Sequence, residues 1–354
     1  MLAAPLNWER LLKLADRHRL LPVLSAALRD RDDVPASIRS AIEARHDAHI
    51  LKTLRFSAEL VRISRHFADR GIETLAHKGP VLSQKLYGDP AMRQFGDLDL
   101  LIRARDVYRA RSALTELGYT PGIHLSRAQE NFYLHSGYEY VFGVGEEPNL
   151  LELQWQIVPR FYSIDFDMEA LFARSDESEI EGFPLRSLGS EDLMLVLCVH
   201  AAKHEWSQLG MLRDIASLAG TGLDWTRIAA EARRLGTARL LGISLNLARE
   251  LWDVEIPREL AGCAEGQGTS ATVSEILFRL AGDTELETES LRYFRAMMNI
   301  RERWQDRARM AWRLASTPSV GEWKAVRLPD SLFPLYRIVR LSRLARRFIT
   351  VSSS

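Results

Sequence analysis

Apolar positions recur at helical spacing through the first seventy residues. Trp8, Leu11, Leu12, Leu14, Ala15 and Leu20 form one stripe, with Glu9, Arg10, Lys13 and Asp16 opposite. Pro22 suits the first turn of a second helix reaching Leu28. Asp33-Val-Pro35-Ala-Ser reads as a turn and a helix start, and the helical pattern then runs to Gly71, with Leu51, Leu54, Phe56, Leu60, Val61 and Ile63 on its apolar side.

The period then changes. Gly71–Ala76 reads as a short strand after a glycine helix stop. His77-Lys78-Gly79-Pro80 is a turn into a helix carrying Val81, Leu82 and Leu86 and ending near Gly88. Phe95 to Arg103 contains the alternation Asp97-Leu98-Asp99-Leu100, a strand entering a core. Asp106 to Leu117 is an amphipathic helix, and Tyr138–Val144 and Leu150–Val158 are strands separated by a turn over Gly145–Asn149. From Asp165 the pattern is helical almost to the end, clearest in Glu191–Leu218, Asp224–Leu235, Ala238–Trp252, Ser270–Leu280 and Leu291–Leu314, with a flexible connection at Gly262–Ser270. The expected fold is α+β: a small mixed β-sheet core over 71–165, a helical region over 1–70 before it, and a helical domain with a basic tail over 166–354 after it.

Composition narrows the function classes. The 354 residues are 46% hydrophobic and 27% charged, and 47 Lys and Arg balance 47 Asp and Glu. That excludes a uniformly basic nucleic-acid coat, but not a local one. Residues 292–347 hold fourteen Lys and Arg against four acidic residues, a basic end on an acidic body. Packed back on the body, it is structural; left free, it suits an anionic partner such as RNA, a phosphorylated protein or a membrane surface. Two cysteines are too few for a disulfide framework, and the apolar run Leu193–Val199 is too short for a transmembrane segment. The N-terminus lacks the pattern of a secretory signal, so a cytoplasmic protein is expected.

Asp97-x-Asp99 is the feature that carries chemistry. Two carboxylates two apart on a strand share a face, where they repel and lose hydration unless cations compensate. Hard oxygen ligands suit Mg²⁺, and a pair of such ions clamps the attacking and leaving oxygens of a phosphoryl transfer. Glu152, flanked by Leu151 and Leu153 and so facing opposite to them, is the third carboxylate. Taken alone, Asp-x-Asp reads as the exposed face of an antiparallel sheet. Eighteen residues earlier, however, Gly79 occupies a strand-to-helix turn where backbone N–H groups can meet a phosphate, and Lys78 and Arg93 supply positive charge.

These residues bring a family into view. Leu75-Ala-His-Lys-Gly-Pro-Val-Leu82, Tyr87-Gly-Asp-Pro90, Arg93 and Gly96-Asp-Leu-Asp-Leu-Leu101 together resemble uncharacterised bacterial nucleotidyltransferases of the DNA polymerase beta-like superfamily. Leu151-Glu-Leu-Gln-Trp155 is similar to the family's acidic strand, with Gln154 where histidine is frequent. Glu191-Asp192, Leu195, His200-Ala-Ala-Lys-His204-Glu-Trp206 and Leu212-Arg-Asp214 resemble its helical region.

The resemblance implies a nucleotidyltransferase core using Mg²⁺ (or Mn²⁺) to move a nucleoside monophosphate from an NTP to an unidentified acceptor, with release of pyrophosphate. Asp97, Asp99 and Glu152 would be catalytic and metal-binding. Lys78, Gly79, Arg93, His200, Lys203 and His204 would bind nucleotide, the Lys78-Gly79 turn cradling the β- and γ-phosphates. The acceptor is a small molecule, peptide, protein or tRNA. His200, Lys203 and His204 lie on one helix face, with Asp214 placed to orient a histidine or cap a helix; Trp206 and Tyr87 read as packing residues, and Tyr138 and His135 as candidates to face the acceptor. The alternative is a degenerate nucleotide-binding or protein-interaction module.

Overall fold

The computed structural model describes residues 6–145, 147–266, 268–282 and 291–351. Three helices open the chain: α1 (Trp8–Arg17), α2 (Leu21–Leu28, with Pro22 in its first turn) and α3 (Ala36–Ala68). The sheet core follows as β1 (Thr74–Ala76), α4 (Gly79–Tyr87), β2 (Leu98–Ile102), α5 (Val107–Glu116), β3 (Thr120–Pro121), α6 (Arg127–Ser136), β4 (Glu139–Val144) and β5 (Glu147–Gln154). Then come α7 (Met168–Ala173), the hairpin β6 (Asp176–Ile180) and β7 (Phe183–Ser187), α8 (Ser190–Lys203), α9 (Leu209–Ala219), α10 (Trp225–Leu235) and α11 (Ala238–Trp252). The C-terminal part is α12 (Ala261–Ala264), α13 (Thr269–Ala281), α14 (Leu291–Asn299), α15 (Trp304–Ser316), α16 (Val320–Ala325) and α17 (Tyr336–Val351). The fold is α+β, as the pattern predicts.

One seven-stranded mixed sheet runs in the order β3-β4-β5-β2-β1-β7-β6. β2 lies parallel to β5 and antiparallel to β1. Alternation along β2 and β5 sorts side chains between two cores. Leu98, Leu100, Ile102, Leu151 and Leu153 pack with Phe56, Leu60, Ile63 and Phe67 of α3 and Val107, Ala110 and Leu114 of α5. Leu101 and Leu75 join a second core built mainly from α8–α11. Asp99 and Glu152 face this second side, so the helices after the sheet form the roof of whatever those carboxylates do.

Four expectations need correction. The segment after Asp165 is not helical throughout, because β6 and β7 pair with each other and β7 extends the sheet beside β1 at Ala76 and Ser187. Their two-residue turn, Glu181-Gly182, takes positive φ at both positions, as right-twisted hairpins require, but Ile180 is the only core position of β6, which hid the strand. Glu191–Leu218 is two helices, broken where Glu205 and Trp206 adopt left-handed backbone (φ 51° and 52°). The buried Trp206 indole donates to Ser244 Oγ at 2.8 Å, holding the break. Leu291–Leu314 is likewise split into α14 and α15, around the buried Arg301. Between Tyr119 and Tyr138 the chain forms β3 and the capping-box helix α6, which the pattern left unassigned.

Two turns are tighter than expected. The stretch over Gly145–Asn149 is shorter, since β5 begins at Glu147; Glu146 lies outside the described residues. Most of the connection over Gly262–Ser270 is taken by α12 and the start of α13; residue 267 lies outside the described residues.

Candidate active site

Residues from three parts of the chain line one cleft of about 200 Å³ between the sheet and α8–α9. Asp97, in the bend before β2, Asp99 on β2, and Glu152 and Gln154 on β5 form its acidic wall. Asp99 and Glu152 are Cα partners across the parallel pair, as are Leu101 and Gln154. Strand partners share a face, so register alone brings the two carboxylates together. Lys78, His77 and Arg93 border that wall. His200, Lys203, His204, Ser207 and Gln208 come from α8 and the break after it, and Arg19 from the turn between α1 and α2.

The acidic wall is internally compensated. Lys78 Nζ donates to Asp99 Oδ1 at 2.6 Å. Gln154 Nε2 donates both to Asp99 Oδ1 (3.1 Å) and to Glu152 Oε2 (2.9 Å). Burial alone would raise the Asp99 pKa, but Lys78 and His77 outweigh it and hold the carboxyl at about 2. Burial pushes Glu152 up to about 9, helped by the charges of Asp99 and Glu139, so at neutral pH it is protonated. Asp97 is also raised, by burial and then by Asp99. The wall holds more carboxyl groups than it can ionise by itself. Among the described residues, no three His, Cys, Asp or Glu side chains already converge as a metal cage.

On the roof, Lys203 Nζ donates to the Tyr138 hydroxyl at 3.0 Å and lies 4.8 Å from its ring centroid. Burial lowers the Lys203 pKa against the pull of Glu139. The His200 and His204 rings meet edge to face at 4.7 Å. Burial, then neighbouring cations, lowers both, His204 to about 4, so both are neutral at physiological pH. Neutral rings can accept or donate a hydrogen bond without adding charge.

Residues 4–253 match a family described as "Uncharacterised nucleotidyltransferase". The chain belongs to this family. No curated protein matches it, and no solved structure does.

In this family member the cleft gathers eight of the nine residues singled out from sequence: Lys78, Arg93, Asp97, Asp99, Glu152, His200, Lys203 and His204. The ninth, Gly79, is buried and does not line it. Gly79 has φ +62°, and a Cβ there would lie 3.6 Å from the Asp97 carbonyl oxygen. Its lack of a side chain lets the chain turn from Lys78 straight into α4.

Arg93 is already engaged: its Nε donates to Asp214 Oδ2 at 2.7 Å, and Tyr87 donates to the other oxygen at 2.8 Å. Asp214 therefore holds an arginine rather than orienting a histidine. Tyr87 is more than packing, and its ring also lies under Arg213 at 3.9 Å. Trp206 packs as expected, whereas His135 is exposed on α6 and outside the cleft.

Sequence reasoning missed Arg19, Gln208 and Glu139. Glu139 is the Cα partner of Gln154, and one of its carboxylate oxygens is buried without a hydrogen-bond partner. Its signal was a polar residue opening a strand next to Tyr138. Arg19 carried no local signal, since only tertiary packing brings it to the cleft.

The basic end folds back on the body. Arg313 pairs with Asp165 at 2.7 Å, and Arg301 donates to Ser163 O at 2.9 Å and Leu235 O at 3.0 Å, while Arg343–Glu322 and Arg303–Asp306 are pairs within the end itself. No helix among the described residues is long and apolar enough to cross a membrane.

Proposed function

We propose that the protein transfers a nucleoside monophosphate from an NTP to an acceptor, releasing pyrophosphate. The observation that carries this reading is the convergence of Asp97, Asp99 and Glu152 on one cleft in a member of a nucleotidyltransferase family. The donor set fits Mg²⁺ or Mn²⁺: all three groups are hard carboxylates, and the raised pKa of Glu152 marks an excess of anionic ligand awaiting positive charge. Asp97, Asp99 and Glu152 would hold the ions. When bound, such ions neutralise charge developing on the transferred phosphoryl group and its leaving group.

In this reading the acceptor oxygen forms a bond to the α-phosphorus while the α–β phosphoanhydride bond breaks, and pyrophosphate carries away the electron pair. The acceptor proton passes to Glu152 once that side chain is ionised. Lys78 keeps Asp99 ionised, and Gln154 fixes Asp99 and Glu152 relative to each other. The Lys78-Gly79 turn sets the N-terminus of α4, with its partial positive charge, beside the carboxylate wall. Lys203, His200 and His204 orient nucleotide or acceptor from the roof. Catalysis rests on alignment and preorganised charge. Lys324, Arg327 and Arg337 remain exposed on the basic end and suit an anionic acceptor.

The test is pyrophosphate release from each NTP with Mg²⁺ or Mn²⁺, with Asp97→Ala/Asp99→Ala as control. Release undiminished by the double substitution would sink the site assignment. Binding of NTP by the wild type without turnover across diverse acceptors would assign the degenerate nucleotide-binding module instead.

A further inference from the structure

The cleft's cations are not equivalent. Lys78 is committed to Asp99, Arg93 to Asp214, and Lys203 to the hydroxyl and ring of Tyr138. Arg19, an exposed residue, lines the same cleft and makes no side-chain hydrogen bond or ion pair within the described residues. A guanidinium without a partner can turn its whole fork of donors to a ligand, whereas Lys78, Arg93 and Lys203 each keep part of their donor set on the group they already hold.

Arg19 is also held in place. Its backbone is left-handed at φ 57°, an uncommon state for a non-glycine residue that the surroundings must impose. Gly210 N–H donates to His18 O at 2.9 Å, and a Cβ on Gly210 would meet His18 O at 3.0 Å and Arg19 O at 3.3 Å. Leu21 N–H donates to Gln94 Oε1 at 2.9 Å on the other side of the turn. The turn is clamped between α9 and the segment leading into β2.

The two ends of the cleft differ. α9 holds both arginines, the Arg19 turn through Gly210 N–H on His18 O and Arg93 through Asp214 one helical turn further on. Lys203 is held instead on Tyr138, just before β4, whose Glu139 is the strand partner of Gln154, the residue bonded to Glu152. Asp97 and the arginines thus mark one end, and Glu152, Tyr138 and Lys203 the other. His77 Nδ1 and Gln208 Oε1 are buried cleft atoms without a hydrogen-bond partner.

We infer that Arg19 binds the terminal phosphates of the nucleoside triphosphate, placing the polyphosphate at the Asp97 end and the acceptor at the Glu152–Tyr138 end. The inference rests on the nucleotidyltransferase reading and deepens it: the helices before the core become part of the substrate site. A guanidinium binds two phosphate oxygens in a planar fork, so Arg19 discriminates a triphosphate from a monophosphate carrying the same base.

The experiment is calorimetric titration of the full-length protein with a non-hydrolysable NTP analogue plus Mg²⁺, and with the matching nucleoside monophosphate. Wild type is compared with Arg19→Ala, Arg19→Lys and Arg19→Asn; asparagine tolerates the left-handed backbone and guards against misfolding of the alanine variant. Arg19→Ala and Arg19→Asn are expected to weaken triphosphate binding by roughly ten- to a hundredfold, with monophosphate affinity within about twofold and partial recovery in Arg19→Lys. Triphosphate affinity unchanged in both variants overturns the role of Arg19 and leaves the enzyme reading standing. Equal weakening for triphosphate and monophosphate overturns the phosphate assignment. A folded wild type that binds no NTP overturns the nucleotidyltransferase reading itself.

Discussion

Asp99 and Glu152, partners across parallel strands, accept hydrogen bonds from the same Gln154 amide nitrogen, at 3.1 and 2.9 Å. One amide nitrogen thereby ties the two carboxyl groups to each other. Gln154→Ala removes both bonds from a buried position. It is expected to lower stability by about 1–2 kcal/mol and to raise the Mg²⁺ concentration needed for half-maximal activity. Urea unfolding and a Mg²⁺ titration of the rate check the two parts separately.

The two aspartates should part company in stability. Asp97→Asn removes a charge that burial and Asp99 disfavour more than Lys78, Arg19 and Arg93 favour it, so unfolding should shift little or to higher temperature. Asp99→Asn leaves the Lys78 ammonium buried without its counter-charge and is expected to cost about 3 kcal/mol. Both should abolish transfer. Calorimetric melting of the two variants beside an activity assay decides the matter; equal melting temperatures would contradict the ion-pair argument.

Arg93 and Asp214 form a buried pair, 12% and 3% exposed. Removing either partner alone should destabilise by about 3 kcal/mol, and removing both should cost less than the sum. A double-mutant cycle by chemical denaturation measures the coupling. A coupling near zero would return Arg93 to the role of a free phosphate ligand.

His77 is 2% exposed and burial lowers its pKa from 6.5 to about 4. The folded protein therefore resists a proton that the unfolded chain accepts. Stability from this residue is intact above pH 6.5, falls as pH drops toward 4, and is level below that. The loss is about 3 kcal/mol across the window. His77→Asn should flatten this part of the stability profile, measured by denaturant unfolding between pH 7.5 and 4.

Much of the site was legible because it depends on alternation. Alternation pairs Asp97 with Asp99 and turns Glu152 away from Leu151 and Leu153, although Asp97 lies in the bend before β2 and only strand register sets Glu152 beside Asp99; helices with a clear apolar stripe, such as α10 and α11, stand where the pattern puts them. The illegible parts depend on packing between distant segments. Nothing local tells that Asp214 will meet Arg93, or that Arg19 will reach the cleft. The break at Glu205-Trp206 was hidden because neither residue is a helix breaker; a buried indole and its bond to Ser244 impose it. β6 escaped because a charged edge strand does not look like a core strand.

The roof over the carboxylates has a consequence for how the protein comes into being. Translation releases the chain from its N-terminus, and domains fold in that order. When β5 has emerged, Asp97, Asp99 and Glu152 all exist, but Lys203, His204 and the α9 residues that hold Arg93 and the Arg19 turn are still to come. A nascent chain therefore has acidic ligands without anchored arginines or a lid of helices over them. For the proposed reaction the site is therefore complete only once the segment through Asp214 has been made and has packed.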